Sequence, residues 1–425
     1  MKESIKKRIE AVRRGKVPEG YTSENHQLRP LDWRYEKIGK YLEPYDEFSN
    51  DTETYPLATS SRQGLMLQSE YYGDQRYDET SGGFHMVPEG YVTYRHMSDD
   101  NIFRFNVNRM GTTVLVSPEY PVFTTTAGLE QNLLIAYLNN MKEFTAYCSA
   151  QKKGSTRTRM YFGRLGEFTM PIPLETEQRK IVEILTTCDR VIELKQQLLE
   201  EKCRQKKWLM QKLLDPDSGV HLPGFETRVW KEIPLSEVFL YIRNGFVGTA
   251  TPYYVDDGIP YIEGTNVQNG QWDLSEVLHI SEEFHRKHPN SVLRTGDVVV
   301  VQSGHVGDCT VVTEKIDGSN SHAIIIMTPT PRVNPYFCAC YINSPIGQGR
   351  LVGCITGNTV KHILASDMKK YLLPCLEKDE QDALANLFCA AEKEITAIEK
   401  EIEAWKQKKK ALMQLLLTGL VRVNA

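Results

Sequence analysis

Basic side chains crowd one short run, Gln151–Arg164, which reads Q-K-K-G-S-T-R-T-R-M-Y-F-G-R. It carries Lys152, Lys153, Arg157, Arg159 and Arg164 and no acid. Duplex DNA is gripped at phosphate by Lys, Arg, Ser, Thr and backbone amides, and guanine is read most often by Arg. The run offers that set, with Ser155 and Thr156 between the cations. An isolated basic run is ordinarily a solvated loop. Here a second polar, basic run, Gly357–Asn358–Thr359–Val360–Lys361–His362, stands at the matching place of an internal repeat. That recurrence favours nucleic-acid contact for Lys152, Lys153, Ser155, Thr156, Arg157 and Arg159, and for Asn358, Thr359, Lys361 and His362.

Three further segments have polar, glycine-marked turns with side chains able to reach base edges. They are Ser60–Ser61–Arg62–Gln63–Gly64, with Arg62, and Asn108–Arg109–Met110–Gly111, with Arg109. The third is Gln302–Ser303–Gly304–His305–Val306–Gly307, with Ser303 and His305, after the apolar run Val298–Val301. Each reads equally well as a plain turn. Tyr71–Tyr72 and Tyr253–Tyr254 read as half-buried core aromatics rather than DNA contacts.

Enzyme signatures are missing. There is no G-x-x-x-x-G-K-[ST] phosphate loop and no G-x-S-x-G elbow. Asn334–Pro335–Tyr336–Phe337 lacks the second proline of a methyltransferase N-P-P-[YF], and Pro216–Asp217 lacks a nuclease Glu-x-Lys downstream. His285 and His288, near His279, read as a solvated helix face because no third metal ligand accompanies them. No catalytic residue, cofactor or metal is expected in this chain.

The elements that must position the loops follow from the repeat. At a constant offset of 203 residues, Pro171 matches Pro374, Glu177–Gln178 matches Glu380–Gln381, Leu209–Met210–Gln211 matches Leu412–Met413–Gln414, and Gly154–Ser155–Thr156 falls on Gly357–Asn358–Thr359. That period is too long for a solenoid and reads as duplication of a domain plus a helix. Glu175–Leu214 and Glu377–Thr418 lack Gly and Pro. In the second, Leu384, Phe388, Ala391, Ile395, Ile398, Ile402 and Trp405 alternate steps of four and three, followed by Leu412 and Leu416, a heptad seam. Ile181, Leu185, Cys188, Ile192, Leu199, Leu209 and Leu213 give the same register in the first, interrupted by Lys195, Lys202 and Lys206 as Lys409 interrupts the second. At ~1.5 Å per residue each helix would run about 55–60 Å. So narrow a seam on so long a helix needs a partner, and the other copy is the nearest one, in either orientation.

The preceding stretches, roughly 15–170 and 222–372, mix short strands (Thr112–Val116, Val298–Val301, Thr310–Val312, Ala323–Met327) with helices near Leu129–Met141 and Asn334–Tyr341. Turn signals such as Thr295–Gly296–Asp297 separate them, and Asp215–Pro223 is a linker. The expected class is α+β: two globular lobes with two long coiled-coil helices and an internal repeat. Net charge is −4, which excludes a uniformly basic stand-alone binder. The nine cysteines show no framework spacing and read as reduced thiols. Met1–Arg14 is charged and carries no apolar signal core, so a cytoplasmic location is expected.

The pattern resembles the specificity subunit of Type I restriction-modification systems. Gly258–Ile259–Pro260–Tyr261–Ile262 with Asn266–Val267 is similar to the family's G-I-P-Y-I…N-V. Leu293–Arg294–Thr295–Gly296–Asp297–Val298 is similar to its L-x-x-G-D-V, and Ser303–Gly304–His305–Val306–Gly307 to its S-G-x-x-G. Asn343–Ser344–Pro345–Ile346–Gly347 and Gly357–His362 resemble its N-S-P-x-G and G-S-T-x-K-H. In the first lobe the resemblance rests on Gly154–Ser155–Thr156 and Ser117–Phe123. It implies target-recognition domains at 1–174 and 215–374, the first with an N-terminal helix and the second with the linker. It implies antiparallel spacer helices at 175–214 and 375–425. The implied partners are double-stranded DNA, two methyltransferase subunits and restriction/translocase subunits, with S-adenosylmethionine and ATP bound by those partners. The residues alone leave open a coiled-coil adaptor without DNA readout, or an enzyme with an unrecognised site in one lobe.

Overall fold

A computed structural model describes residues 3–24, 27–73, 83–152, 157–226, 230–268, 270–356 and 361–423. The chain forms two compact units. Unit 1 is Met1–Leu194 with Ile402–Ala425, and unit 2 is Lys195–Glu401.

Unit 1 opens with helix α1 (Glu3–Arg13). Its frame strands are β1 (Arg34–Lys37), β2 (Leu42–Pro44), β3 (Val92–Tyr94), β4 (Phe105–Val107), β5 (Val122–Thr125) and β6 (Thr169–Ile172). They make an antiparallel sheet in the order β4-β3-β5-β2, and β6 pairs with β1. Unit 2 repeats this plan with β7 (Lys231–Pro234), β8 (Phe239–Asn244), β9 (Val298–Val301), β10 (Cys309–Val311), β11 (Ile324–Pro329) and β12 (Leu372–Cys375). Its sheet order is β10-β9-β11-β8, and β12 pairs with β7. β9 shows why the strand is apolar on both sides. Val298 and Val300 face one core and Val299 and Val301 another, all four fully buried.

A short helix follows the sheet in each unit, α2 (Gln131–Asn140) and α4 (Pro335–Asn343). An asparagine near its end clamps the edge strand. Asn139 accepts from the Phe105 amide (2.8 Å) and donates to the Phe105 carbonyl (2.9 Å). Asn343 does the same with Cys309, at 3.0 and 2.6 Å.

The long helices are α3 (Glu175–Leu213) and α5 (Lys378–Leu417), of 39 and 40 residues. The matched Glu–Gln pairs begin them and tie them to each unit. Buried Gln178 donates to the carbonyls of Gly128 and Pro173 (both 3.0 Å) and accepts from the Glu130 amide (2.7 Å). Gln381 donates to Arg332 and Leu376 (3.1 and 2.9 Å) and accepts from Asn334 (2.8 Å). Trp33 donates to Glu177, as Trp230 does to Glu380. In unit 1 the C-terminal tail adds Arg422, which reaches Glu177 (2.8 Å) and Asp32 (2.7 Å). The Arg422 guanidinium holds the Asp32 carboxyl below its usual range.

Within each unit the long helices pair antiparallel. Lys409 binds Asp189 in unit 1. In unit 2, as numbering rises through Lys195, Lys202 and Lys206, partners fall through Glu401, Glu394 and Glu392. The lysines that interrupt the apolar seam are therefore ion-pair donors to the facing helix. Ile181, Leu185, Leu384, Phe388, Ile395 and Ile402 are buried along it. Met210 and Met413 point inward, whereas Leu209 and Leu412, expected there, are half-buried. All nine cysteines are free thiols.

Candidate nucleic-acid interface

In unit 1 the basic run starts beyond the helix Lys142–Ala150, where Lys152 is exposed. Lys153, Ser155 and Thr156 lie outside the described residues. Thr158–Arg159 then forms a two-residue strand antiparallel to Met97–Ser98, with Ser98 opposite Thr158. The Met160 amide extends the ladder to His96 (2.8 Å). His96 is buried, which pushes its imidazole pKa down, and its ring stacks on Tyr161 at 5.7 Å. Neutral, it serves as a packing residue that fixes the strand.

Ser98 leads into the turn Asp99–Asp100. Arg157 Nε donates to Asp99 at 2.7 Å, and Arg62 donates to Asp100 at 2.6 Å. Arg62 caps the hairpin of Ala58–Ser60 and Leu65–Leu67. Buried Asn106 fixes that hairpin by donating to Ser60 Oγ (2.8 Å) and the Ser61 carbonyl (2.9 Å). Arg62 and Arg157, far apart in the chain, thus converge on one loop. Beside it lies a cleft of about 310 Å³ lined by Arg62, Tyr71, Tyr72, Arg95, Arg104 and Tyr120.

Tyr71 and Tyr72, expected in the core, are exposed at 45% and 47% and pack edge to face. Arg95 and Arg104 escaped the sequence reading. Both are exposed and make no ion pair among the described residues. Their signal was local: Tyr94–Arg95–His96 and Phe103–Arg104–Phe105 alternate buried, exposed, buried, as strand ends do. Arg109 does not join the cleft. It lies past Val107, at the opposite end of the β3–β4 hairpin from Arg104, and donates to Asn132 (3.0 Å).

In unit 2 the two sequence candidates meet. Ser303 bridges His362, and the Ile363 amide donates to the Gln302 carbonyl (3.1 Å). His305 and Lys361 are exposed beside them. Asn358 and Thr359 lie outside the described residues. The place in the fold is that of unit 1: Ser98 opposite Thr158 and Ser303 opposite His362 both join the loop after the second sheet strand to the basic run. Tyr253 and Tyr254 are half-buried and pack with Phe284 and Tyr261. No group of three metal-ligating side chains exists among the described residues. Among them, too, no helix is long and apolar enough to cross a membrane.

The chain is similar to known proteins in both sequence and fold. The family model described as the Type I restriction modification DNA specificity domain matches residues 111–201. The Type I restriction enzyme MjaVIII specificity subunit of Methanocaldococcus jannaschii is 22% identical over 424 residues, covering 94% of this chain and 96% of its own. The chain is similar to a Type I specificity subunit along almost its whole length. A further relative, the EcoBI specificity subunit of Escherichia coli, is 24% identical over 56% of this chain and 54% of its own. The fold is shared with the S subunit of a Type I system from M. genitalium (TM-score 0.57, 14% identity, covering 93% and 97% of the two chains). It is also shared with a chain solved in work on complex assembly and conformational transition of the type I R-M system (TM-score 0.56, 16% identity, 92% and 99%).

Several segments that resemble motifs of the specificity subunits prove to be framework. Buried Asp297 accepts from the Arg294 amide (3.0 Å) and Thr328 (2.7 Å), closing the Leu293–Val298 turn. Ser344 caps the helix Pro345–Leu351 through the Gly347 amide (3.0 Å). A Cβ at Gly347 would stand 2.0 Å from the Tyr341 carbonyl oxygen, which explains the N-S-P-x-G glycine. Asn266 accepts from the Glu263 amide and donates to the carbonyls of Asp273 and Glu276.

Proposed function

We propose that this chain is the non-catalytic specificity subunit of a Type I restriction-modification complex and that it reads a bipartite, gapped duplex DNA site. Residues 1–174 and 215–374 act as the two target-recognition domains, one per half-site. Residues 175–214 and 375–425 are the spacer helices, and their length sets the gap. Two methyltransferase subunits assemble on this scaffold, joined by restriction/translocase subunits, in the cytoplasm. S-adenosylmethionine and ATP are bound by the partners, and this chain contributes sequence choice.

One observation carries the reading. Two units on one frame each bring a polar, basic segment against the same loop. In unit 1 the segment bears Lys152, Lys153, Ser155, Thr156, Arg157 and Arg159, with Arg62 at the loop. In unit 2 it bears Asn358, Thr359, Lys361 and His362, with Ser303 and His305 at the loop. Cations of this kind grip phosphate, and polar side chains at loop tips reach base edges. Arg109, turned to Asn132, serves as a phosphate contact outside the cleft. The net charge of −4 leaves much of the DNA grip to the partner subunits.

The test is to sequence methylated adenines in host DNA with and without this gene. Loss of one gapped motif supports the reading, and an unchanged methylome refutes it.

A further inference from the structure

We propose that Asp100 is a base-reading residue of unit 1, an acceptor that selects a base with an exocyclic amino group, cytosine or adenine, at one position of that unit's half-site. The inference rests on the reading of unit 1 as a DNA reader and names what one of its side chains recognises.

The first support is position. Ser98–Asp99–Asp100 and Ser303–Gly304–His305 occupy the same place in two copies of one frame, fixed by the pairing of Ser98 with Thr158 and of Ser303 with His362. A shared frame presents both loops alike, so discrimination between half-sites falls to side chains that differ there. The difference is large: a carboxylate in unit 1, an imidazole after a glycine in unit 2.

The second support is geometry. Three donors hold Asp100 Oδ1: Ser98 Oγ at 2.9 Å, the Ile102 amide at 3.2 Å and Arg62 at 2.6 Å. Among the described residues none donates to Oδ2, and the side chain is 42% exposed. One oxygen is anchored, and on this part-exposed side chain the other keeps its accepting capacity among the described residues. That is the arrangement a readout residue needs, because its orientation is fixed before the base arrives.

The third support is electrostatic. A carboxylate near phosphates is repelled unless a donor meets it. In the major groove cytosine N4 and adenine N6 are the donors, while guanine and thymine present acceptors at the corresponding edge. Asp100 therefore accepts one class of base and rejects the other, with Arg62 balancing its charge. Rejection of wrong partners by an unmet charge is a common source of specificity.

The experiment selects duplex libraries with the chain assembled with its methyltransferase subunits, as wild type, D100A and D100N. D100N keeps an oxygen for Ser98 and Ile102 and places an amide N–H₂ where Oδ2 stood. With D100A, discrimination at one base pair of one half-site should fall about ten- to a hundred-fold. D100N should shift preference there towards guanine or thymine. The other half-site should stay unchanged in both, which also certifies assembly. If the wild type selects a gapped motif and both variants select the same one, the assignment is overturned. If the motif is kept while binding tightens and its salt dependence steepens, Asp100 is only a stand-in for phosphate and the assignment is equally overturned. A wild type that selects no motif at all instead overturns the reading of unit 1, and the assignment of Asp100 with it.

Discussion

Gln178 and Gln381 sit in matching places and make the same three hydrogen bonds, while the loops Asp99–Asp100 and Gly304–His305, also in matching places, have no chemistry in common. The three-stranded sheets diverge too. Unit 1 pairs Phe48–Ser49, Phe84–Val87 and Val114–Val116 wholly antiparallel, whereas unit 2 has a parallel pair between Tyr254–Glu263 and Asn320–His322. The contrast follows from cost. Losing a partner to a buried amide or carbonyl costs about 1–3 kcal/mol, so the buried clamps persist through divergence. Exposed loops change at little cost and are free to acquire different recognition.

The largest expected effect probes the shared half of this comparison. Gln178→Ala should destabilise unit 1, and Gln381→Ala unit 2, each by about 3 kcal/mol, because buried groups lose their partners. Hydrogen exchange resolved by unit is the appropriate measure, since a two-unit chain need not unfold in one step. A large effect in one unit and none in the other would break the equivalence of the frames.

Next is the C-terminal tail, which tests an asymmetry. Arg422→Ala should cost unit 1 about 2 kcal/mol by leaving buried Glu177, among the described residues, with only Trp33 and a backbone amide, and should spare unit 2. The Asp32 part of this is pH-dependent. Arg422 lowers the folded-state pKa of Asp32, so that stabilisation is present above the unfolded value near 4 and is lost as pH falls through the lower folded value. Melting scans should show the gap between wild type and variant narrowing in acid.

A smaller effect concerns the loops. In the assembled complex, Lys361→Ala should reduce the salt slope of DNA binding by about 0.9 for one lost phosphate contact. Arg157→Ala should reduce it less, because Asp99 already serves as counter-ion. Equal slopes would mean that Asp99 leaves Arg157 before DNA binds. The smallest effect is on the helices. Lys195→Ala or Lys202→Ala should cost about 0.5 kcal/mol each by thermal or chemical unfolding, as half-exposed ion pairs do.

Much of the frame was legible because it rests on local signals. Breaker-free heptads predicted α3 and α5 to within a few residues, and the apolar run Val298–Val301 predicted a strand. The 203-residue offset anticipated Glu177–Gln178 and Glu380–Gln381 as matched pairs, though not their bonds. The interface was less legible because pairing across the sheet builds it. Arg62 and Arg109 look alike in sequence, yet hairpin geometry brings one to the Asp100 loop and turns the other to Asn132. Tyr71–Tyr72 read as core because aromatic side chains usually are. Asp99 and Asp100 went unread because acids seldom mark a DNA surface, and only Arg62 and Arg157 give them a role there.

The central claim is that each unit reads its own half-site. Its most direct test replaces residues 15–170 with the corresponding lobe of a relative and sequences the methylated adenines of the host. One half of the gapped motif should change, with the other half and the gap retained. A motif altered in both halves, or in neither, would contradict the account.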